Sequence, residues 1–272
     1  MQIYGTKSSG GKFKRVALAF FAIGILVAIV IVLHPTPRPT KQTPTAESPR
    51  SVAVSVRKVE PPTAAAISAP AKAPFTEQTW AQAIDLLKLA QLSRDTVSGR
   101  WAVDEEELRS DAAEPARIEF PYTPPEEYDF RIEFTQPVAG NVGQVLFANG
   151  HQFGWYMGAY VNSRAGFQMI DGKAMPENPT GVKSSLQANH TYVSLVTVRK
   201  NGVKAYLDGQ LLSQWTTDFH DMSLFPDSKL RGTDVLGVWT AAATTTFLKV
   251  EVREISGPGT STLQGQQAPA DF

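Results

Sequence analysis

The sequence predicts an all-β domain, an antiparallel jelly-roll β-sandwich, preceded by one transmembrane helix and a Pro-rich linker. Three observations carry that expectation. Residues 127–135 (EYDFRIEFT) alternate strictly between apolar and polar side chains, the period of a strand with one buried face. Four pairs, Asn149-Gly150, Asp171-Gly172, Asn201-Gly202 and Asp208-Gly209, punctuate the C-terminal two thirds with hairpin-turn chemistry. Finally, residues 16–33 (VALAFFAIGILVAIVIVL) carry no charge and stand between a basic tail and a proline-dense tract.

The elements follow in chain order. Residues 1–15 form a basic tail with Lys7, Lys12, Lys14 and Arg15. The apolar run 16–33 spans about 27 Å as a helix, near the ~30 Å of a bilayer's hydrocarbon core. Cations on its N-terminal side orient it with the N-terminus cytoplasmic and the rest extracytoplasmic. A cleaved signal peptide is the alternative, but its apolar region is normally shorter and ends in small residues rather than in His34-Pro35-Thr36-Pro37. Residues 34–74 contain nine prolines and read as a semi-rigid stalk. Within them, Val52, Val54 and Val56 make residues 51–59 a candidate edge strand. Residues 75–256 are the expected sandwich, and the polar residues 257–272 an expected disordered tail.

Charge divides at the same boundary. The 272-residue chain has 26 basic and 26 acidic side chains, a formal net charge of zero. Residues 1–74 hold ten Lys/Arg against two Asp/Glu, and residues 75–272 hold 16 against 24. The acidic domain is a poor partner for nucleic acid or an anionic membrane. The chain has no cysteine, which excludes disulfide scaffolds, thiol catalysis and cysteine-ligated metals.

Within the domain, residues 99–103, 116–120, 144–148, 192–198, 203–207, 210–215, 235–239 and 244–255 read as further strands. Only residues 78–92 have helical spacing, with Trp80, Ile84 and Leu87 on one face. The strings SGRWAV, EEYDFRIEFT, FGWYMGAY, YVSLVTVRKNGVKAYLDGQLLSQWTTD, VLGVW and VREISG resemble the concanavalin A-like lectin/glucanase jelly roll, in its laminin-G-like and 3-keto-disaccharide hydrolase-like branch. More narrowly, they are similar to modules of planctomycete proteins that are anchored or appended to other domains. The resemblance covers about residues 84–257. It implies two sheets with a concave face, where relatives bind glycans and some carry catalytic carboxylates.

Three chemistries compete for that face. Glucanases of the superfamily carry E-x-D-x-x-E, or a bulged form with one more residue, and Glu127, Asp129 and Glu133 match the bulged spacing. Arg131 lies between the last two on the same face, where it would pair with either. The alternation shows no bulge, so the outer carboxylates would stand ~20 Å apart at ~3.3 Å per residue, too far for hydrolysis. Carbohydrate binding uses exposed aromatic rings with amides and charged groups around them. Trp155 and Tyr156 point to opposite faces of a strand, so one of them leaves the core. Trp239, Asn162, Arg164 and Asn178 complete the candidate ligand set, with Gln168 a further candidate. Trp101 and Trp215 read as core residues.

Metal is the weakest of the three. His34, His151, His190 and His220 show no ligand spacing. Residues 218–221 (DFHD) and 104–107 (DEEE) are oxygen-rich loops, and calcium is the ion they would suit, without a Gly-containing calcium-loop pattern. No other cofactor is expected. The leading reading is therefore an anchored extracytoplasmic module that binds a carbohydrate or cell-envelope polymer. A glycoside-acting enzyme and a structural or protein-interaction ectodomain are the alternatives.

Overall fold

A computed structural model describes residues 80–112 and 115–265 of the chain. The apolar run 16–33, the Pro-rich tract 34–74 and the candidate edge strand 51–59 lie outside the described residues. Among the described residues, no helix is long and apolar enough to cross a membrane.

In chain order, the strands of the two main sheets are β1 (Ile84–Asp85), β2 (Thr96–Ser98), β3 (Trp101–Asp104), β4 (Glu107–Ser110), β5 (Ala116–Phe120), β6 (Tyr128–Thr135), β7 (Asn141–Ala148) and β8 (His151–Gly158). They continue with β9 (Arg164–Phe167), β10 (Val182–Lys183), β11 (Thr191–Arg199), β12 (Gly202–Leu207), β13 (Gln210–Trp215), β14 (Leu236–Ala241) and β15 (Thr246–Glu254). The first sheet runs β13-β12-β11-β6-β15-β4-β3, with β1 also paired to β15. The second runs β10-β9-β8-β7-β14-β5-β2. All pairings within them are antiparallel.

Alternation explains how the two sheets meet. In β6, Tyr128, Phe130, Ile132 and Phe134 are fully buried and enter one core with Phe153, Trp155 and Met157 of β8. Three polar ties cross this apolar layer. The Gln144 amide donates to the Phe130 carbonyl at 2.9 Å and accepts from the Ser194 hydroxyl at 2.7 Å. Tyr128 donates to the Phe147 carbonyl at 2.8 Å and accepts from the Phe147 amide at 3.1 Å. Thr240 donates to Ser110 at 2.9 Å. Burial pushes the Tyr128 phenol up, so it stays a donor.

Three of the four predicted turn pairs have positive φ at both residues: Asn149-Gly150, Asp171-Gly172 and Asp208-Gly209. Asn201-Gly202 differs. Its glycine, at φ 153°, pairs with Arg199 inside the β11–β12 ladder. A Cβ there would lie 2.4 Å from the Trp215 carbonyl oxygen, so close backbone approach and the positive φ together require glycine.

Two expectations are corrected. Residues 80–92 do not form one helix. Ile84 and Asp85 pair with β15, Leu86 is fully buried with its amide donating to Val250 O, and the Asp85 carboxylate accepts the Leu87 amide. Sheet pairing and burial of Leu86 override the helical spacing. Nor is the tail disordered from residue 257. Thr260 and Ser261 pair with Thr123 and Tyr122, the Gly259 amide donates to Glu254, and the Thr262 amide donates to Pro121 O.

Gln144→Leu removes two buried hydrogen bonds and strands the Ser194 hydroxyl. It should lower unfolding stability by about 1–3 kcal/mol, with part of the loss recovered by adding Ser194→Ala. Urea denaturation of the three variants checks this.

Candidate functional site

The outward face of the second sheet is floored by glycine. One cross-strand row reads Gly166, Tyr156, Gly143, Trp239, Arg117. The next reads Gly154, Val145, Gly237, Glu119. A Cβ on Gly143 would lie 2.6 Å from one edge of the Tyr156 ring, and a Cβ on Gly154 2.4 Å from the other. The ring therefore lies across bare backbone. Its partner across Gly143 is Trp239, edge to face at 5.2 Å and 66°.

A cleft of about 240 Å³ opens above these rings, lined by Asn141, Tyr156, Ala159, Tyr160, Gln168 and Trp239 with Met175 and the 225–228 segment. The roof is fastened by Gln168, which donates to Ser228 at 2.9 Å and accepts from the Phe225 amide at 2.8 Å. Farther along, Glu119 accepts the amides of Arg231 and Gly232. Tyr156 is buried, and its hydroxyl is sealed from solvent beside the Ser228 hydroxyl and the Gln168 amide. Burial holds the phenol protonated, so it faces these two side chains as a donor.

One rim is a strained turn. After Gly158, Tyr160, Val161 and Asn162 adopt φ values of 52°, 58° and 52°. Three consecutive left-handed residues are costly, most of all for a β-branched valine. The Asn162 side chain holds the turn by donating to Leu186 O at 2.8 Å and accepting the Leu186 amide at 2.7 Å. Tyr160 is thereby set against the cleft, and Val161 is 99% exposed. Tyr160, Val161 and Phe225 make three of the six exposed large apolar side chains among the described residues, all at this site. Such clustering marks a contact surface.

The predicted site residues separate accordingly. Tyr156 and Trp239 come together in the cleft. Trp155 is fully buried in the inter-sheet core against Phe167, so it is the inward member of the pair and no ligand contact. Asn162 is occupied with Leu186. Asn178 is buried, donating to Phe167 O and accepting from Thr180, so its amide shapes a loop. Arg164 begins β9 opposite Lys183, outside the cleft lining. Asn141, Tyr160, Phe225 and Asp227 were not expected from the sequence.

The carboxylates lie on the other sheet. Asp129 is clamped between Arg199, at 2.8 Å, and Arg253. Glu133 faces Lys249 at 3.5 Å, and Glu127 accepts the Lys200 amide at 3.0 Å. Arg131 binds Glu251 and stacks under Trp80 at 4.3 Å. The β6–β11 register is unbroken, so Asp129 and Glu133 stand ~13 Å apart along the strand. That exceeds the ~5–9.5 Å of a glycosidase pair. A larger trough of about 740 Å³ crosses this face, but its Asp129, Arg199 and Arg253 are spent on one another. In the 218–221 loop, the two Asp221 oxygens accept hydrogen bonds from Trp215 at 2.7 Å and from Thr217.

No family model matches the chain, and no curated protein matches it. Among solved structures it is similar to carbohydrate-binding module CBM66 from Bacillus subtilis, with 17% identity and a TM-score of 0.44 over 58% of this chain and 94% of that one. A Bacillus subtilis protein with a galectin-like fold gives 10% and 0.42 over 59% and 87%. The exoplasmic/lumenal domain of VIP36, in its Ca2+/Man-bound form, gives 8% and 0.42 over 61% and 85%. The two-sheet architecture of this chain stands on its own strand order.

Val161→Gly should stabilise the protein by about 0.5–1 kcal/mol, because relief of left-handed strain outweighs the added freedom of the unfolded chain. A lower thermal midpoint in this variant would contradict the strained turn.

Proposed function

We propose that the domain binds a neutral carbohydrate in the Tyr156–Trp239 cleft, without hydrolysing it. The observation that carries this reading is the Tyr156–Trp239 aromatic pair, flanked by exposed Tyr160 and Phe225 and by the polar side chains of Asn141 and Asp227, in one small cleft. A sugar ring offers what such a cleft lacks: an apolar face for Trp239 and Tyr160, and hydroxyls for Asn141 and Asp227. At about 240 Å³ the cleft suits one ring rather than a long polymer segment. Asp227 is the one carboxylate among its lining residues, whereas hydrolysis by the usual route needs two. The acidity of residues 75–272 disfavours anionic glycans.

The same proposal places the domain outside the cell, held by residues 16–33 as an uncleaved anchor and spaced from the membrane by residues 34–74. The uncharged run and the four preceding cations support this. Carbonate-resistant membrane association, with the C-terminal domain open to protease added outside, is the expected result. Release of the domain into the medium would show cleavage instead.

Binding is tested by tryptophan fluorescence titration of the full chain in detergent with cello-, manno- and galacto-oligosaccharides. Trp239→Ala should weaken binding by about tenfold or more, ~1.4 kcal/mol. Tyr156→Ala, which removes the ring that faces Trp239, should weaken it by a similar factor. No binding by the folded chain, or equal affinities in parent and variants, would overturn the assignment.

A further inference from the structure

Away from the cleft, two histidines 69 residues apart in sequence meet at the end of the sandwich. His151 follows the Asn149-Gly150 turn, and His220 lies in the loop after β13. The His151 Nε2 and His220 Nδ1 atoms are 2.9 Å apart, with the rings edge to face at 4.8 Å and 77°. His220 is exposed and His151 half-buried, so solvent reaches the pair.

The two rings are positioned from both sides. Asn149 donates to Asp218 O at 2.9 Å, tying the hairpin to the loop. The Phe219 amide donates to Thr217 Oγ1 at 2.7 Å, and the Asp171 amide to Asp221 O at 2.8 Å. Phe219 packs on Phe153 at 5.3 Å and takes a φ of 73°, which turns the next residue back toward the hairpin. A bulky residue persists in that conformation only where its surroundings over-determine it. Two neutral imidazoles so placed share one proton, one nitrogen donating and the other accepting.

We propose that His151 Nε2 and His220 Nδ1 form a binding site for a divalent late transition metal, with zinc, nickel or copper as the class. Two Zn–N bonds of ~2.0–2.1 Å at a tetrahedral angle separate their nitrogens by ~3.3–3.4 Å. The pair therefore has to open by about 0.5 Å and the His220 ring to swing so that both lone pairs converge, which its exposed position allows. On binding, the bridging proton moves to the far nitrogen of its own ring, and both facing nitrogens present lone pairs. Among the described residues no cluster of three or more His, Asp or Glu side chains could hold a metal, so water completes the shell. Nitrogen donors select copper over zinc and reject magnesium and calcium. The bound ion cross-links the β7–β8 hairpin to the loop that runs directly into the roof of the cleft.

The test is calorimetric titration of the full chain in detergent with each metal chloride alone, beside thermal melts. Copper, nickel and zinc should bind at one equivalent, copper tightest, and raise the melting midpoint. His220→Ala and His151→Ala should each weaken that binding at least tenfold and abolish the rise, with far-UV circular dichroism unchanged. His190→Ala, at the separate His190–Asp208 pair, should leave it intact. Equal binding in the parent and the His220→Ala variant, or calcium binding as well as zinc, would overturn the proposal. Should both alanine variants unfold, His151→Asn replaces them, and retention of full zinc affinity there would overturn it.

Discussion

In β8, Phe153, Trp155 and Met157 enter the space between the sheets, and the pleat then commits Gly154, Tyr156 and Gly158 to the opposite face. Burying each large side chain contributes roughly 1.5–3 kcal/mol, and a one-residue slip would forfeit all three contributions together. Trp155 goes inward although its indole N–H finds no partner there, which shows how strongly its ring is needed against Phe167. The cleft is a consequence of that choice. Tyr156 can lie flat outside only because Gly143 and Gly154 leave their positions empty, and those positions are fixed by the same register.

The two outer faces solve different problems. On the first sheet, the outward positions of β6 and β15 alternate in charge, so Asp129, Arg131 and Glu133 find Arg253, Glu251 and Lys249 across the strand pair. Charge there is consumed internally. On the second sheet glycines alternate with Tyr156, Trp239 and Val145 along the outward rows, and loops descend onto them through Met175, Leu224 and Leu230. A surface of bare backbone and aromatic rings beneath a polar roof leaves recognition capacity unspent.

Strand periodicity made β6, β11, β12 and β15 legible in the sequence, and the paired Asp-Gly and Asn-Gly residues marked four turns, because both signals are local. Residues 78–92 misled because an i, i+3 pattern also arises when a chain crosses a sheet edge with Leu86 plugged into the core. Period two placed Trp155 and Tyr156 on opposite faces without saying which was inward; that depends on the facing sheet. Asn162 and Asn178 looked like ligand amides because loop amides that satisfy backbone groups have the same composition as those that bind sugars. Asn141, Phe225 and Asp227 belong to the site through non-local packing, and the His151–His220 pair arises from contacts 69 residues apart.

The glycine floor has a kinetic consequence. Backbone locked in the middle of a seven-stranded sheet does not yield on the timescale of an encounter, so it offers a ligand one fixed contour. The segment over it, residues 224–228, is fixed on a different basis, by the two hydrogen bonds of Gln168 and by burial of Leu224 and Ser228. The contour of the floor is thus a property of positions that have no side chain, while its cover depends on side chains reaching in from other strands.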